Sequence, residues 1–229
     1  MREQGLRRRA KALAFSVLVA GMLASAASAR HHRHYDAAAT AVAGQFDYYL
    51  LSLSWSPSYC LTHPEDQQQC TRGFGFVLHG LWPQNADGGY PQNCATGGDR
   101  GLSAEAQQLG RTLFPSPRLM QHEWERHGSC SGLDAVAFFR TADRALAAVR
   151  VPPALEAPRT SLAMGAAEIV AAFRAANPAL GADGITVACN RDELSEVRVC
   201  LTRELALRAC GRGVRSHCPA VALRIPAAR

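Results

Sequence analysis

Several features that define other classes of protein are missing from this sequence. After residue 29 no apolar run is long enough to span a bilayer, which excludes a protein with several membrane-spanning helices. There is no Cys-x-x-Cys pair, which argues against a zinc site built on closely spaced cysteines. There is also no internal repeat, no serine or cysteine nucleophile motif, and no Asn-x-Ser/Thr glycosylation site. The lack of a glycosylation site weakly favours a bacterial periplasm over a eukaryotic secretory route.

The N-terminus has the pattern of a removable signal peptide. A basic start at 7–11 precedes a short apolar run at 13–23, and Ala27-Ser28-Ala29 has the small residues of a cleavage site. The alternative is an uncleaved anchor, although the uncharged stretch is barely long enough to cross a bilayer. We therefore expect cleavage after Ala29 and a periplasmic or secreted protein with no membrane attachment.

The chain then divides into a signal peptide, a flexible leader and one domain, at residues 1–29, 30–44 and 45–229. Because the signal holds five basic residues and one acidic residue, its removal lowers the formal net charge from +6 to +2. Such a surface permits a polyanionic partner without requiring one. The leader contains His31, His32 and His34, and a histidine third from the new N-terminus can chelate Cu(II) or Ni(II). A plain solvated tail is the alternative.

Cysteine usage indicates an oxidising compartment. Eight cysteines follow the predicted signal, and an even number in an exported chain predicts four disulfides. Their spacing does not choose among the pairings. They stand at Cys60, Cys70, Cys94, Cys130, Cys189, Cys200, Cys210 and Cys218.

Apolar periodicity predicts a mixture of strands and helices in one domain. The predicted strands are at 46–55, 74–78, 185–188 and 194–201, with a further one within 219–225. The predicted helices are at 103–113, 118–127, 133–149 and 161–177.

One chemically distinctive stretch follows the second predicted strand. His79 stands at the predicted strand end, with Gly80 directly after it and Trp82 close by. A side chain at the end of a core strand is held by a rigid element and faces a loop, which suits a catalytic group. Taken alone, however, this histidine is more often structural than catalytic.

A second stretch, at 122–130, contains two imidazoles, a carboxylate and a guanidinium within two helical turns. Glu123 and His127 are four residues apart and share a helix face, as do His122 and Arg126. The spacing resembles the zinc-protease motif His-Glu-x-x-His but has one residue too many. The extra residue rotates the second histidine off the metal-binding face, so we predict no metal.

Three imidazoles, a carboxylate and a guanidinium suit acid–base chemistry on a phosphate. RNA supplies its own nucleophile, the 2′-OH, so an enzyme needs a base, an acid and a cation, with no metal or other cofactor. A carboxylate beside a phosphate is repulsive unless neighbouring cations neutralise it or it carries a proton. Glu123 therefore either stabilises charge in one of these ways or simply orients His127.

The two stretches, together with Ser-Trp-Ser-Pro at 54–57 and the cysteines, resemble the ribonuclease T2 family from about Phe46 to Cys210. The resemblance implies an α+β fold, with a central antiparallel sheet, helices packed around it and disulfides. It also implies an acid–base pair of His79 and His127, phosphorane stabilisation by Glu123 and Arg126, and phosphate binding by His122. Trp82 and Tyr90 would stack on bases. The implied disulfides are Cys60–Cys70, Cys94–Cys130, Cys189–Cys218 and Cys200–Cys210.

This chain departs from the family pattern at three positions. Arg126 replaces the usual lysine, which keeps the charge but changes its shape. Gln84 and Leu119 differ from the acidic and aromatic residues of some base pockets, so base preference stays open. We expect a monomeric endoribonuclease that cleaves single-stranded RNA with broad base specificity through a 2′,3′-cyclic phosphate. The alternative is a non-catalytic RNA-binding or toxin-like module on the same fold.

Overall fold

A computed structural model describes residues 42–95, 101–219 and 222–228. The predicted signal peptide, its cleavage site and the leader histidines lie outside these ranges and stay predictions. At the end of the predicted leader, the Gly44 backbone N–H donates to the carbonyl oxygen of Cys130 at 2.9 Å. Among the described residues, no helix is both long enough and apolar enough to cross a membrane.

A six-stranded sheet forms the centre of the fold. Its strands are β1 Tyr48–Trp55, β2 Phe76–Gln84, β3 Leu162–Met164, β4 Ile185–Asn190, β5 Glu193–Leu201 and β6 Leu223–Ile225. The order is β2-β1-β5-β6-β3, and β4 also pairs with β5. All pairings are antiparallel except that of β5 with β6, which is parallel. The α+β class is confirmed, and the predicted antiparallel sheet is mixed at this one pairing.

Helices surround the sheet. They are α1 Ser56–Thr62, α2 Gln67–Cys70, α3 Ala104–Leu113, α4 Pro117–Arg126, α5 Ala135–Ala147, α6 Pro153–Glu156 and α7 Ala166–Ala176. Short 3-10 turns lie at Gly128–Cys130 and Ala182–Gly184. Ser103, Ser116 and Asp134 cap α3, α4 and α5, each accepting a backbone N–H three residues further on. The helix predicted at 103–113 thus begins with a serine N-cap.

Three local predictions differ from the structure. Ser56 and Pro57 end β1 as predicted but also begin α1, because a proline suits the first turn of a helix. The second strand does not stop at residue 78, since β2 pairs with β1 as far as Gln84. The segment 162–164, predicted as helix, forms β3 because it pairs with β6. In the second and third cases a strand pairing overrides the local pattern.

Strand β1 is buried on both faces, which explains its nearly continuous apolar sequence. The larger apolar cluster joins one face of the sheet to α4, α5 and α7 through Trp124, Phe138, Phe139 and Phe173. A smaller cluster of Tyr48, Leu50 and Cys200 covers the other face. Ser52 is fully buried in the same strand, where a polar side chain needs a partner.

All four disulfides implied by the resemblance are confirmed: Cys60–Cys70, Cys94–Cys130, Cys189–Cys218 and Cys200–Cys210. The second of them joins the segment after β2 to the turn that follows α4. Both of its cysteines are buried. It therefore ties together the two parts of the chain that carry the predicted site.

We predict that the paired change Cys94→Ala/Cys130→Ala lowers the free energy of unfolding by about 4 kcal/mol. The paired change Cys60→Ala/Cys70→Ala should cost about 1 kcal/mol less, because loop-closure entropy grows with loop length. The two loops span 36 and 10 residues respectively. Urea unfolding under oxidising conditions measures both values, and equal losses would contradict the entropic explanation.

Candidate active site

A β-bulge presents His79. Ser52 of β1 pairs with Gly80, and the next residue, Leu53, pairs with Leu78, so His79 is an extra residue in β2. Bulges of this kind redirect a side chain without ending the strand. The imidazole is held by β2, which is the edge strand next to β1, and its side chain is 32% exposed. His79 thus lies inside a strand rather than at the predicted strand end.

Two carboxyl groups face the two nitrogens of this imidazole. The Nδ1 atom of His79 lies 2.6 Å from Oε1 of Glu196. The Nε2 atom lies 3.7 Å from Oε1 of Glu123. Burial alone would lower the pKa of His79, but the hydrogen bond and charge of Glu196, together with the charge of Glu123, raise that pKa above its ordinary value.

Glu196 is a buried carboxylate with several donors around it. Its Oε2 atom accepts from Ser52 Oγ at 3.1 Å and from Arg198 Nε at 2.7 Å. Arg198 Nη2 also lies 2.6 Å from that oxygen. Burial alone would raise the pKa of Glu196, but His79 and Arg198 lower it to about 2. The carboxylate is therefore ionised across the whole ordinary pH range.

Sequence reasoning missed Ser52, Glu196 and Arg198. Glu196 and Arg198 are two residues apart on β5, so they share a face of the strand. In the sequence they look like the polar positions of an ordinary alternating strand. Their position around His79 becomes visible only in the structure. There Ser52 of β1 pairs with Arg198 of β5, next to the bulge that presents His79.

Glu123 is the second buried carboxyl group of the site. It lies in α4 and is 1% exposed. Its Oε2 atom accepts from Trp82 Nε1 at 2.6 Å, while Oε1 has no hydrogen-bond partner among the described residues. Burial raises the pKa of Glu123 to about 7. Gly80 makes this contact possible, because a Cβ at that position would overlap both Glu123 Oε2 and Trp82 Nε1.

His127 follows α4 directly and is 6% exposed. Its ring centroid lies 5.2 Å from that of Trp82 and 5.9 Å from that of Tyr90. Its Nδ1 atom is buried and has no hydrogen-bond partner within the described ranges. Burial, followed by the charges of Arg126, His122 and His79, lowers the pKa of His127 to about 3. This imidazole is therefore neutral at mildly acidic pH.

The remaining polar residues of α4 lie nearer the solvent. His122 is exposed and Arg126 is half-buried. Burial and the charge of Arg126 lower the pKa of His122. His122 is exposed while His127 is buried, so the two imidazoles do not share one helix face. In the described part of the chain no group of three or more His, Cys, Asp or Glu side chains is arranged to hold a metal ion.

The indole of Trp82 links the two imidazoles. The His79 ring lies edge-on to Trp82, with 5.1 Å between centroids, and the guanidinium of Arg198 lies 5.5 Å from the indole centroid. With His127 on the same indole, both predicted motifs meet around one ring. Tyr90, which is 40% exposed, adds an accessible aromatic surface next to His127. The structure thus brings His79, Trp82, Tyr90, Glu123 and His127 together.

A cavity of about 270 Å³ borders His79. Leu119 and the aromatic residue Tyr59 contribute to its lining, as does Glu196. Gln84 has a different environment: it is buried and its side-chain amide donates to the Pro83 carbonyl oxygen. Of the two departures that concern the base pocket, Gln84 and Leu119, only Leu119 therefore borders open space beside His79.

Comparison with known proteins is consistent with this geometry. The Ribonuclease T2 family matches residues 46–210. The chain belongs to this family. A ribonuclease from Aeromonas hydrophila is 49% identical over 100 residues, which are 44% of this chain and 45% of that protein. The chain thus aligns with only about half the length of the curated relatives it matches.

Solved structures of T2-type ribonucleases share the fold. An RNase-related protein from Calystegia sepium superposes with a TM-score of 0.66 at 24% identity, covering 80% of this chain and 98% of that one. A point mutant of RNase MC1 in complex with 5′-UMP gives a TM-score of 0.61 at 23% identity, covering 78% and 98% respectively. At these identities the likeness establishes the fold alone.

We predict that Glu123→Gln stabilises the protein at alkaline pH. The pKa of Glu123 rises from an ordinary value of 4.5 to about 7 on folding, so the folded state binds more protons in that interval. Stability is therefore lost as pH rises through it. Glutamine mimics the protonated acid and can still accept from Trp82. The variant should match the parent near about pH 4 and exceed it near about pH 8 by on the order of 1–3 kcal/mol.

Urea unfolding at the two pH values measures this difference. Glu105→Gln is the matched control, since Glu105 is an exposed helical residue in an ion pair with Arg140. The control should show little change between the two conditions. A Glu123→Gln curve parallel to the parent curve at both pH values would show that the carboxyl group is not held in its protonated form.

Proposed function

We propose that this protein is an exported, monomeric endoribonuclease that cleaves single-stranded RNA by metal-independent acid–base transfer. The observation that supports this most directly is the pair of imidazoles on one indole. His79 is held towards its charged form by Glu196, whereas burial holds His127 in its neutral form. When their environments separate the pKa values of two titratable groups, one group can act as the acid and the other as the base.

The proposed roles follow from these protonation states. Neutral His127 accepts the proton of the 2′-OH, whose oxygen then attacks the adjacent phosphorus. Protonated His79 donates its Nε2 proton to the 5′-oxygen as the bond from phosphorus to that oxygen breaks. The products are a 2′,3′-cyclic phosphate and a free 5′-OH. Each proton transfer contributes about 10²–10⁴-fold to the rate.

Glu123 and Arg126 are proposed to stabilise the phosphorane, and His122 to bind the phosphate. With a pKa of about 7, Glu123 carries a proton at acidic pH and can donate it to a phosphate oxygen. Its side chain contacts Trp82 and approaches His79, which favours this role over orienting His127. Arg126 supplies a permanent positive charge, so it replaces lysine in charge but not in shape.

Base binding is proposed for the aromatic residues. Tyr90 is the more exposed of the two and suits stacking, which is worth about 1–3 kcal/mol per base. Trp82 is engaged with Glu123, so its ring forms a fixed wall of the site. Stacking recognises the face common to all bases, which fits broad base specificity. The 5′-UMP complex of the RNase MC1 mutant supports an RNA substrate.

We predict that the purified protein cleaves homopolymeric RNAs in the presence of EDTA and leaves 2′,3′-cyclic phosphate ends. The variant His127→Ala should lose about 10²–10⁴-fold in kcat, because the proton acceptor is absent. Gel or mass-spectrometric analysis of the termini measures both. His217→Ala is the control, since His217 is exposed and lies in the segment between β5 and β6, outside the residues that surround His79 and His127.

Three outcomes would contradict the proposal. Loss of activity with EDTA would indicate a metal hydrolase, and equal cleavage of DNA would exclude a 2′-OH nucleophile. Binding of RNA without any cleavage would favour the non-catalytic module instead.

We predict a bell-shaped dependence of kcat/KM on pH with an acidic-to-neutral optimum. The acidic limb follows protonation of His127, whose pKa is about 3 in the free protein. The alkaline limb follows deprotonation of His79, whose pKa is raised. A bound phosphate raises the pKa of His127, because an adjacent anion favours imidazolium. The acidic limb of kcat should therefore lie at higher pH than that of kcat/KM. A rate still rising above about pH 9 would exclude this pair.

A further inference from the structure

We propose that Glu196 is a positioning residue for His79. Its carboxylate accepts the Nδ1–H of the imidazole and so leaves Nε2 as the nitrogen presented to the substrate. The inference rests on the proposed function only for its catalytic consequence. The contact itself, 2.6 Å between buried or half-buried atoms, stands independently of it.

The orientation of the imidazole supports this role. Nδ1 faces β5, where Glu196 lies, while Nε2 faces α4 and Glu123. A free imidazole exchanges its proton between the two nitrogens, and a hydrogen bond at one of them selects the tautomer. With Nδ1–H committed to Glu196, only Nε2 remains to carry a transferable proton. The ring is also prevented from rotating within the bulge.

The surroundings of Glu196 keep it ionised and oriented. Its two oxygens have separate partners: Oε1 serves His79, and Oε2 accepts from Arg198 and Ser52. Ser52 and Arg198 are paired across β1 and β5, so the sheet register itself fixes these donors. A buried carboxylate requires such compensation, because its desolvation is otherwise unfavourable. The arrangement resembles other sites in which a carboxylate, here Glu196, orients the imidazole that acts as acid or base, here His79.

The other charges around His79 make the contribution of Glu196 decisive. Burial and the charge of Arg198 on β5 oppose the imidazolium, while the charge of Glu123 favours it besides that of Glu196. His122 and His127, around α4, also face His79, but their own pKa values are lowered, which favours their neutral forms. Tyr59, His63 and Asp66 line the cavity next to the ring. If Glu196 lost its charge, Arg198 would face His79 without its counter-ion. The imidazolium would then be destabilised on its Nδ1 side, with only Glu123 left to favour it.

The alternative is that Glu196 only accepts hydrogen bonds from the half-buried guanidinium of Arg198 and the buried hydroxyl of Ser52. A structural role of this kind would change stability without changing the titration of His79. The variant Glu196→Gln separates the two, because it keeps the size and an acceptor oxygen but removes the charge. The glutamine amide can also rotate and donate to Nδ1, which would select the other tautomer.

The experiment measures His79 in two ways. Two-dimensional ¹H–¹⁵N NMR of the full-length protein, with His79 assigned from His79→Gln, gives its pKa and tautomer. In Glu196→Gln that pKa should fall by about one unit or more, and Nδ1 protonation of the neutral ring should decrease. The alkaline limb of kcat should shift to lower pH by the same amount. At the optimum kcat should fall on the order of 10–100-fold with little change in KM.

Two further variants keep the test decisive. Ser52→Ala removes one donor to Glu196 without removing its charge, so the pKa of His79 should stay raised and Nδ1 should stay protonated. Glu204→Gln, an exposed position just beyond β5, should shift neither quantity. An unchanged pKa and tautomer of His79 in Glu196→Gln would overturn the inference. If the parent protein fails to cleave RNA, the proposed function fails while the NMR measurement still decides the role of Glu196.

Discussion

The hydrogen bond from the indole of Trp82 to the buried carboxyl of Glu123 joins the two halves of the site. It connects β2, which carries His79, to α4, which ends at His127. The contact requires a glycine at position 80, because any side chain there would overlap the two bonded atoms. A short stretch of β2 therefore supplies an imidazole, the space for a carboxyl group and the donor that holds it. Both imidazoles then lie against the same indole.

Two buried carboxyl groups of the site differ in ionisation because their partners differ. Glu196 faces Arg198, Ser52 and His79, and these groups lower its pKa to about 2. Glu123 has one neutral donor and a more distant imidazole, so burial dominates and raises its pKa to about 7. The imidazole of His79 lies between Glu196, which is ionised, and Glu123, whose carboxyl group can carry a proton. This asymmetry gives the ring a defined direction, with one nitrogen anchored and the other facing the proposed substrate.

The sequence was sufficient to predict what depends on local pattern and on resemblance. The α+β class, the helix at 103–113 and the two motifs could be predicted from the sequence, and the resemblance implied the pairing of the four disulfides. Ser52, Glu196 and Arg198 could not, because each looks like an ordinary polar position in an alternating strand. Their association depends on the register between β1 and β5 and on the bulge at His79. Register is a tertiary property, fixed by which faces are buried and not by any single strand.

The two imidazoles are held by different physical means. His79 is held by the sheet, through a bulge in the edge strand β2 and a hydrogen bond to Glu196 of β5, which lies beyond β1. His127 lies at a helix end, where α4 gives way to the turn Gly128–Cys130, and a helix end is intrinsically prone to fray. The Cys94–Cys130 disulfide counters this tendency, because it closes the chain three residues beyond His127. Gly128 contributes as well, since a Cβ there would overlap Trp124 and Phe138 in the core. The buried imidazole of His127 is thus kept in place by covalent closure and close packing.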